Sequence, residues 1–218
     1  MDDNNEKLHI ISHPLLSHKI SLMRDKNSGA KEFRELTAEV AMLMTYEVTR
    51  FLPLREVEVE TPIAVAKTKV IAGRKVAFVP ILRAGLCMVE GAVTLVPAAK
   101  VGHIGICRVS EREQTNGERT MEYYCKLPFD IKERDVIIMD LMLATGQSAT
   151  RAVDEIKKAG SQSIKFMTVL ACPEGIKQLG EAHPDIDIYC AEVDDGLNDE
   201  LYITPGFGDG SDRIYGTK

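Results

Sequence analysis

The stretch VIIMDLMLATGQSA, from Val136 to Ala149, carries the residue types best suited to chemistry. An apolar run ends in Asp140, passes through a short segment with Thr145-Gly146, and enters a helical pattern after Ser148. That arrangement favours a phosphate ligand. The first backbone N–H groups of a helix have no intrahelical partner, and the positive end of its dipole lies there. Gly146 lets the backbone approach a ligand closely or adopt φ > 0. The hydroxyls of Thr145 and Ser148 can donate to phosphate oxygens. Asp140 stands at the expected carboxyl end of a strand, where open α/β sheets bind ligands, and its carboxylate can accept hydrogen bonds from sugar hydroxyls. The competing reading is structural: Asp140 and Ser148 would then only terminate and cap elements.

The elements that must position this segment can be read from periodicity. Lys31 to Leu52 places Phe33, Leu36, Val40, Leu43, Met44 and Val48 at helical spacing, with Pro53 just beyond. Val57, Val59 and Thr61 alternate with Glu56, Glu58 and Glu60, which predicts a strand with one solvated face. Lys75 to Leu82 is nearly all apolar, as for a strand buried on both sides. Further along, Leu86–Val96 predicts a helix, and Val101–Val109 and Val136–Asp140 predict strands. Gln147–Ala159 predicts a helix stopped by Gly160, Ile164–Cys172 a strand, Glu174–Ala182 a helix and Ile186–Ala191 a strand. Strands alternating with helices imply a parallel sheet with helices on both faces. Between Ser110 and Cys125 the pattern becomes polar around Asn116-Gly117, a dipeptide that favours a tight hairpin and hence a β-arm or flap. The tail from Thr204 to Lys218 is rich in Gly and Asp and reads as a structured loop.

Composition narrows the function classes. The chain has 218 residues, 44% of them hydrophobic, enough for one α/β domain spanning 1–218 with a sizeable core. It has no Trp, and its formal charge is −6, which disfavours nucleic acid as the main partner. The five cysteines, Cys87, Cys107, Cys125, Cys172 and Cys190, include no C-x-x-C pair. Neither a zinc site nor a disulfide framework is expected, and a reducing, cytoplasmic setting is. The polar start, Met1 to Lys7, lacks a signal-peptide core, and no apolar run approaches the roughly 20 residues that span a bilayer. His9, His13, His18, His103 and His183 show no metal-ligand spacing, and His13 and His18 read as structural.

The motif D-x-M-L-A-T-G-x-S resembles the loop that binds phosphoribosyl pyrophosphate (PRPP) in uracil phosphoribosyltransferases, a branch of the type I phosphoribosyltransferase family. Three other segments resemble the same family in the same order. They are HPLLSHKISLMRD (His13 to Asp25), VPILRAGLCM (Val79 to Met88) and YITPGFGDGSDRIYGTK (Tyr202 to Lys218). The resemblance implies a type I phosphoribosyltransferase (Rossmann-like) core with a flap at about 110–125 and a base-binding segment at about 202–218. It implies the reaction of uracil with PRPP to give UMP and pyrophosphate. Arg83 and Arg108 would grip the pyrophosphate, since the planar guanidinium fork matches phosphate oxygens; Arg112 and Arg119 stand close enough in sequence to replace Arg108. Asp140, Leu141, Met142, Leu143, Ala144, Thr145, Gly146, Gln147 and Ser148 would hold the ribose and its 5′-phosphate. Ile203, Gly208, Asp209 and Gly210 would form the uracil pocket, with Asp209 either orienting uracil N1 or binding PRPP. Mg²⁺ would arrive mainly on the PRPP phosphates. A homo-oligomer, dimer or higher, and activation by GTP are further family traits.

Three positions depart from the family pattern: Leu141 stands where Pro is usual, Gln147 where Gly is usual, and Gly210 where Ala is usual. Leu141 keeps an N–H that Pro lacks, and Gln147 requires φ < 0. Two other readings stay open. One is a transferase for another pyrimidine or a purine. The other is a PRPP-sensing RNA-binding regulator, which wants a clustered basic face, whereas the 27 Lys and Arg here are scattered among 33 acids.

Overall fold

In the computed structural model, which describes residues 7–108 and 120–217, the alternating pattern becomes a mostly parallel sheet flanked by helices. Strand β1 (Leu8–Ile10) leads into helices α1 (Pro14–Arg24) and α2 (Ala30–Val48). A hairpin follows, β2 (Leu54–Glu60) and β3 (Val65–Ile71). Next come β4 (Lys75–Leu82), α3 (Leu86–Leu95), β5 (Lys100–Val101), β6 (His103–Arg108) and β7 (Thr120–Lys126). Then β8 (Arg134–Leu143), α4 (Gln147–Lys158), β9 (Ser163–Ala171), α5 (Pro173–Ala182) and β10 (Asp187–Val193) alternate. The tail adds β11 (Gly196–Leu197), β12 (Ile203–Thr204) and α6 (Gly210–Tyr215).

The main sheet runs β1-β10-β9-β8-β4-β6-β7, with β5 also paired to β4. Every pairing in it is parallel except β6 with β7. The central strands are continuously apolar because side chains alternate between two covered faces. Phe78, Met139 and Met167 pack with Phe33, Val40 and Met44 of α2 on one side. Val79, Ile138 and Phe166 pack with Val153 and Ile156 of α4 and Leu179 of α5 on the other. Two cores therefore clamp one sheet, and the parallel strands all deliver their carboxyl ends to the same edge.

Several expectations change in detail. Helix α2 stops at Val48, and Thr49 to Leu52 turn so that the chain can leave at Pro53. The expected single strand Val101–Val109 divides at Gly102, whose N–H donates to the Phe78 carbonyl at 2.9 Å. Strand β8 continues three residues past Asp140, because β9 keeps pairing it through Met142↔Leu170 and Leu143↔Ala171. The β2 strand was expected to bury one face, yet it and β3 form a projecting hairpin that is exposed at nearly every position. Of the expected flap, β7 pairs antiparallel with β6, while Asn116-Gly117 lies outside the described residues.

The tail was expected to be a loop, but it forms β12 and the six-residue helix α6. A helix that short shows too few turns for periodicity to register. It forms because Asp209 caps its start, accepting the Asp212 N–H at 2.9 Å, and because Ile214 is wholly buried. Helix α1 also went unread in the sequence. Pro14 opens it, the His13 ring accepts the Leu15 N–H at 3.1 Å, and Leu16, Ile20 and Met23 line its buried face.

Candidate active site

The segments that leave β4 and β8 at their carboxyl ends meet the tail around a cavity of about 350 Å³. From β8 and the turn after it come Asp140, Met142, Leu143, Ala144, Thr145, Gly146 and Ser148. From the tail come Ile203, Gly208, Asp209 and Gly210. Thus most residues singled out in the sequence gather at one place. Tyr202, which opens the tail motif, lines it as well, as do Glu200 and Leu201, which were not singled out.

The turn into α4 owes its shape to Gly146. Its φ is +79°, and a Cβ there would lie 2.8 Å from Gln178 Cβ and 2.9 Å from the Gly175 carbonyl oxygen of α5. Glycine is therefore required twice, for conformation and for space. With Gly146 at the N-cap, no side chain caps α4, and the first intrahelical bond is Thr150 N–H to the Gly146 carbonyl at 2.9 Å. The N–H groups of Gln147, Ser148 and Ala149 precede that bond and lack an intrahelical acceptor. The helix begins at Gln147, where the periodicity of Gln147–Ala159 placed it, so Gln147 takes helical φ < 0 and lies off the cavity wall.

Asp140 faces the cavity from within β8. Burial pushes its carboxyl from an ordinary 3.8 up to about 7, opposed by backbone N–H groups of Leu141 and Met142. The Leu141 N–H donates to Asp140 Oδ1 at 2.8 Å, a bond that proline at this position could not make. The Leu141 side chain points the other way, into the core beside Ile203, Phe207 and Ile214. There it explains a second departure. A Cβ at Gly210 would lie 2.5 Å from Leu141 Cδ2, so the bulk at Leu141 and its absence at Gly210 are matched.

The tail segment is held by side chains that the sequence reading did not assign. Asp194 accepts the Gly206 N–H at 2.8 Å and both Arg24 terminal nitrogens at 2.9 and 2.6 Å, and Arg24 donates to the Gly206 carbonyl at 2.8 Å. Arg213 donates to the carbonyls of Asp25 at 2.6 Å and Phe207 at 3.2 Å, with its guanidinium 4.4 Å from the Phe33 ring centroid. Arg24 belongs to the amino-terminal motif, so that motif's part here is to brace the tail. Gly206 must be glycine, since its φ is +58° and a Cβ would meet the Ile203 carbonyl oxygen at 2.1 Å.

Arg83 stands beside the cavity rather than in its wall. Ala84 lines it, while the Arg83 side chain is exposed at the rim, 3.7 Å from Asp212. Ile106 lines it too, and Arg108 is two residues further along β6, the neighbour of β4. The Arg108 side chain, like Arg112 and Arg119, lies outside the described residues. Among the described residues no group of three or more His, Cys, Asp and Glu is arranged to hold a metal ion. None of their helices is long and apolar enough to cross a membrane.

The uracil phosphoribosyltransferase family model matches residues 10–217 of the chain. A uracil phosphoribosyltransferase of Caldanaerobacter subterraneus subsp. tengcongensis is 59% identical over 213 residues, covering 98% of this chain and 99% of the relative. One of Bacillus cytotoxicus is 56% identical over 212 residues, covering 97% and 99%. Among solved structures, the AQ2163 protein of Aquifex aeolicus is 37% identical with a TM-score of 0.88, covering 97% and 99%. A hypoxanthine phosphoribosyltransferase of Staphylococcus aureus is 13% identical with a TM-score of 0.52 over 81% of this chain and 84% of its own, a likeness of fold.

Two outcomes are expected from this geometry. Because the folded Asp140 holds its proton up to about pH 7 while the unfolded one loses it near 3.8, its burial costs stability as pH rises between those values. Asp140→Asn should therefore gain stability over the wild type on going from pH 5 to pH 8, by on the order of 2 kcal/mol in urea unfolding; parallel behaviour at both pH values would contradict the assignment. Gly210→Ala should cost about 1–3 kcal/mol through overpacking. In a Leu141→Ala background most of that cost should vanish, and an equal cost in both backgrounds would disprove the matched pair.

Proposed function

The chain belongs to the uracil phosphoribosyltransferase family, and on that premise we propose that it joins uracil to PRPP, giving UMP and pyrophosphate in pyrimidine salvage. One observation carries the reading. A cavity flanked by the uncapped helix start at Gly146 and the carboxylate of Asp140 is closed on its other side by the tail segment Ile203–Gly210. Sugar, phosphate and base each have a complementary wall.

In this reading the 5′-phosphate sits on the N–H groups at the start of α4 with the Thr145 and Ser148 hydroxyls. Asp140 accepts hydrogen bonds from the ribose hydroxyls, most strongly in its ionised form. Backbone groups of Ile203 to Gly210 match the donor and acceptor edge of uracil, and a wrong base would leave buried polar groups unpaired. The C1–O bond to pyrophosphate breaks through an oxocarbenium-like transition state, the C1–N1 bond forms, and the uracil N1 proton passes to the departing pyrophosphate. Arg83 and Arg108 stabilise the charge that grows on the leaving pyrophosphate; losing one such donor typically costs about 3–4 kcal/mol. Mg²⁺ carried by the PRPP phosphates would neutralise part of the same charge. Asp209 has one oxygen anchored by the α6 cap, so its carboxylate is held in a set orientation for uracil N1 or for PRPP.

The projecting hairpin supports a second proposal, that the protein works as a homo-oligomer. Glu56 lies opposite Lys69 and Glu58 opposite Lys67, while Val57, Val59, Ala66 and Val70 make the other face mostly apolar, with Arg55 and Thr68 among them. An isolated two-stranded hairpin is marginal in water, and Ile63 at its tip is 96% exposed. A second copy of the chain would cover that apolar face. The five free cysteines fit a reducing compartment, and the cytosol is the proposed one.

Incubation with labelled uracil, PRPP and Mg²⁺ should yield UMP, and competing bases should not substitute; a purine nucleotide product would redirect the assignment. Running the assay with and without GTP measures the activation that family resemblance implies. Arg83→Ala should lower kcat/KM at least 100-fold, and near-wild-type kinetics would remove Arg83 from the mechanism. Val59→Lys combined with Ile63→Asp should shift sedimentation from oligomer to monomer, and an unchanged mass would free the hairpin from that role.

A further inference from the structure

We propose that the tail helix α6 aims Arg83, with Asp212 and Tyr215 as its positioning residues; this rests on the pyrophosphate role given to Arg83 above. Arg83 follows a buried strand, but its own side chain is 52% accessible. The neighbours that define its place come from α6. Its guanidinium lies 3.7 Å from Asp212 Oδ1 and 5.7 Å from the Tyr215 ring centroid. The Tyr215 hydroxyl donates to the Arg83 carbonyl oxygen at 2.9 Å. One helix thus holds both the backbone and the side chain of the arginine.

That helix is the fixed partner in the contact. Asp212 is only 15% accessible, its N–H is taken by Asp209 Oδ1, and the Thr217 hydroxyl donates to its carboxylate. Ile214 is buried, and its carbonyl accepts from Arg34 at 2.7 Å. Gly85, two residues after Arg83, packs so tightly that a Cβ would lie 2.2 Å from the Met139 carbonyl oxygen, so the chain just beyond the arginine has no slack. In the ion pair the exposed member is the arginine side chain, 52% accessible against 15% for Asp212.

An exposed ion pair adds little to folding stability, so the contribution of this one lies in orientation. Immobilising a rotamer-rich side chain on binding costs affinity, and restricting it beforehand recovers about 3- to 10-fold. The residues that open α6, Gly208 to Gly210, line the base end of the cavity. The segment that receives the base is therefore continuous with the element that orients the pyrophosphate arginine.

The test is a double-mutant cycle in steady-state kinetics with Asp212→Asn, Tyr215→Phe and Arg83→Ala. Asp212→Asn should raise KM for PRPP 3- to 10-fold while KM for uracil moves less than twofold. Combined with Arg83→Ala, it should add no further loss. Should Asp212→Asn lower the thermal midpoint enough to obscure kinetics, Tyr215→Phe carries the same expectation, since it removes only a hydroxyl. An unchanged or lowered KM for PRPP, or a loss that persists in the Arg83→Ala background, overturns the proposal. Wild-type protein that makes no UMP would instead refute the functional reading, so the two failures are distinguishable.

Discussion

Much of this structure turns on unpaired backbone N–H groups at the start of α4. A helix N-terminus with no side-chain cap is a standing demand for an acceptor. Gly146 maintains it: the positive φ turns the chain out of β8, and the absent Cβ lets α5 press against the turn. Gly175 answers from the other side, since a Cβ there would meet the Ala144 and Leu143 carbonyl oxygens at 2.4 and 2.5 Å. The cradle is thus clamped between two elements, and its N–H groups are pre-oriented rather than assembled around a ligand.

The tail stands outside the main sheet, with only the two-residue pairing of β11 and β12, so polar contacts from far along the chain hold it. Arg24 and Asp194 fix the turn at Gly206, and Arg213 ties the segment to the carbonyls that follow α1. The buried Leu141 side chain fills the space that a Cβ at Gly210 would need, joining β8 to the start of α6 by shape. Breaking such a network exposes buried donors and acceptors, which costs more than the net worth of each bond. Positional accuracy at the cavity is the return on that arrangement.

Asp140 shows the tension between folding and function. Its carboxyl sits where hydration is poor, and the folded chain resists ionising it below about pH 7. The Leu141 N–H pulls the other way by stabilising the anion. A residue kept at such a cost on a cavity wall is a mark of a functional site. The sequence named it by position; the strength of the conflict appeared only once its surroundings were in place.

The sequence by itself determined α2 and the alternation of strands and helices from β4 to β10 through the two hydrophobic periods, and it marked Asp140 to Ser148 because glycine, hydroxyls and a carboxylate cluster there. These signals are local, so a linear reading reaches them. Helices α1 and α6 escaped it because one relies on a histidine cap and the other is too short to repeat. The bracing by Arg24, Asp194 and Arg213, and the compensation between Leu141 and Gly210, were invisible for a different reason. They join residues far apart in the chain, and only the closed fold sets the distances at which such groups meet.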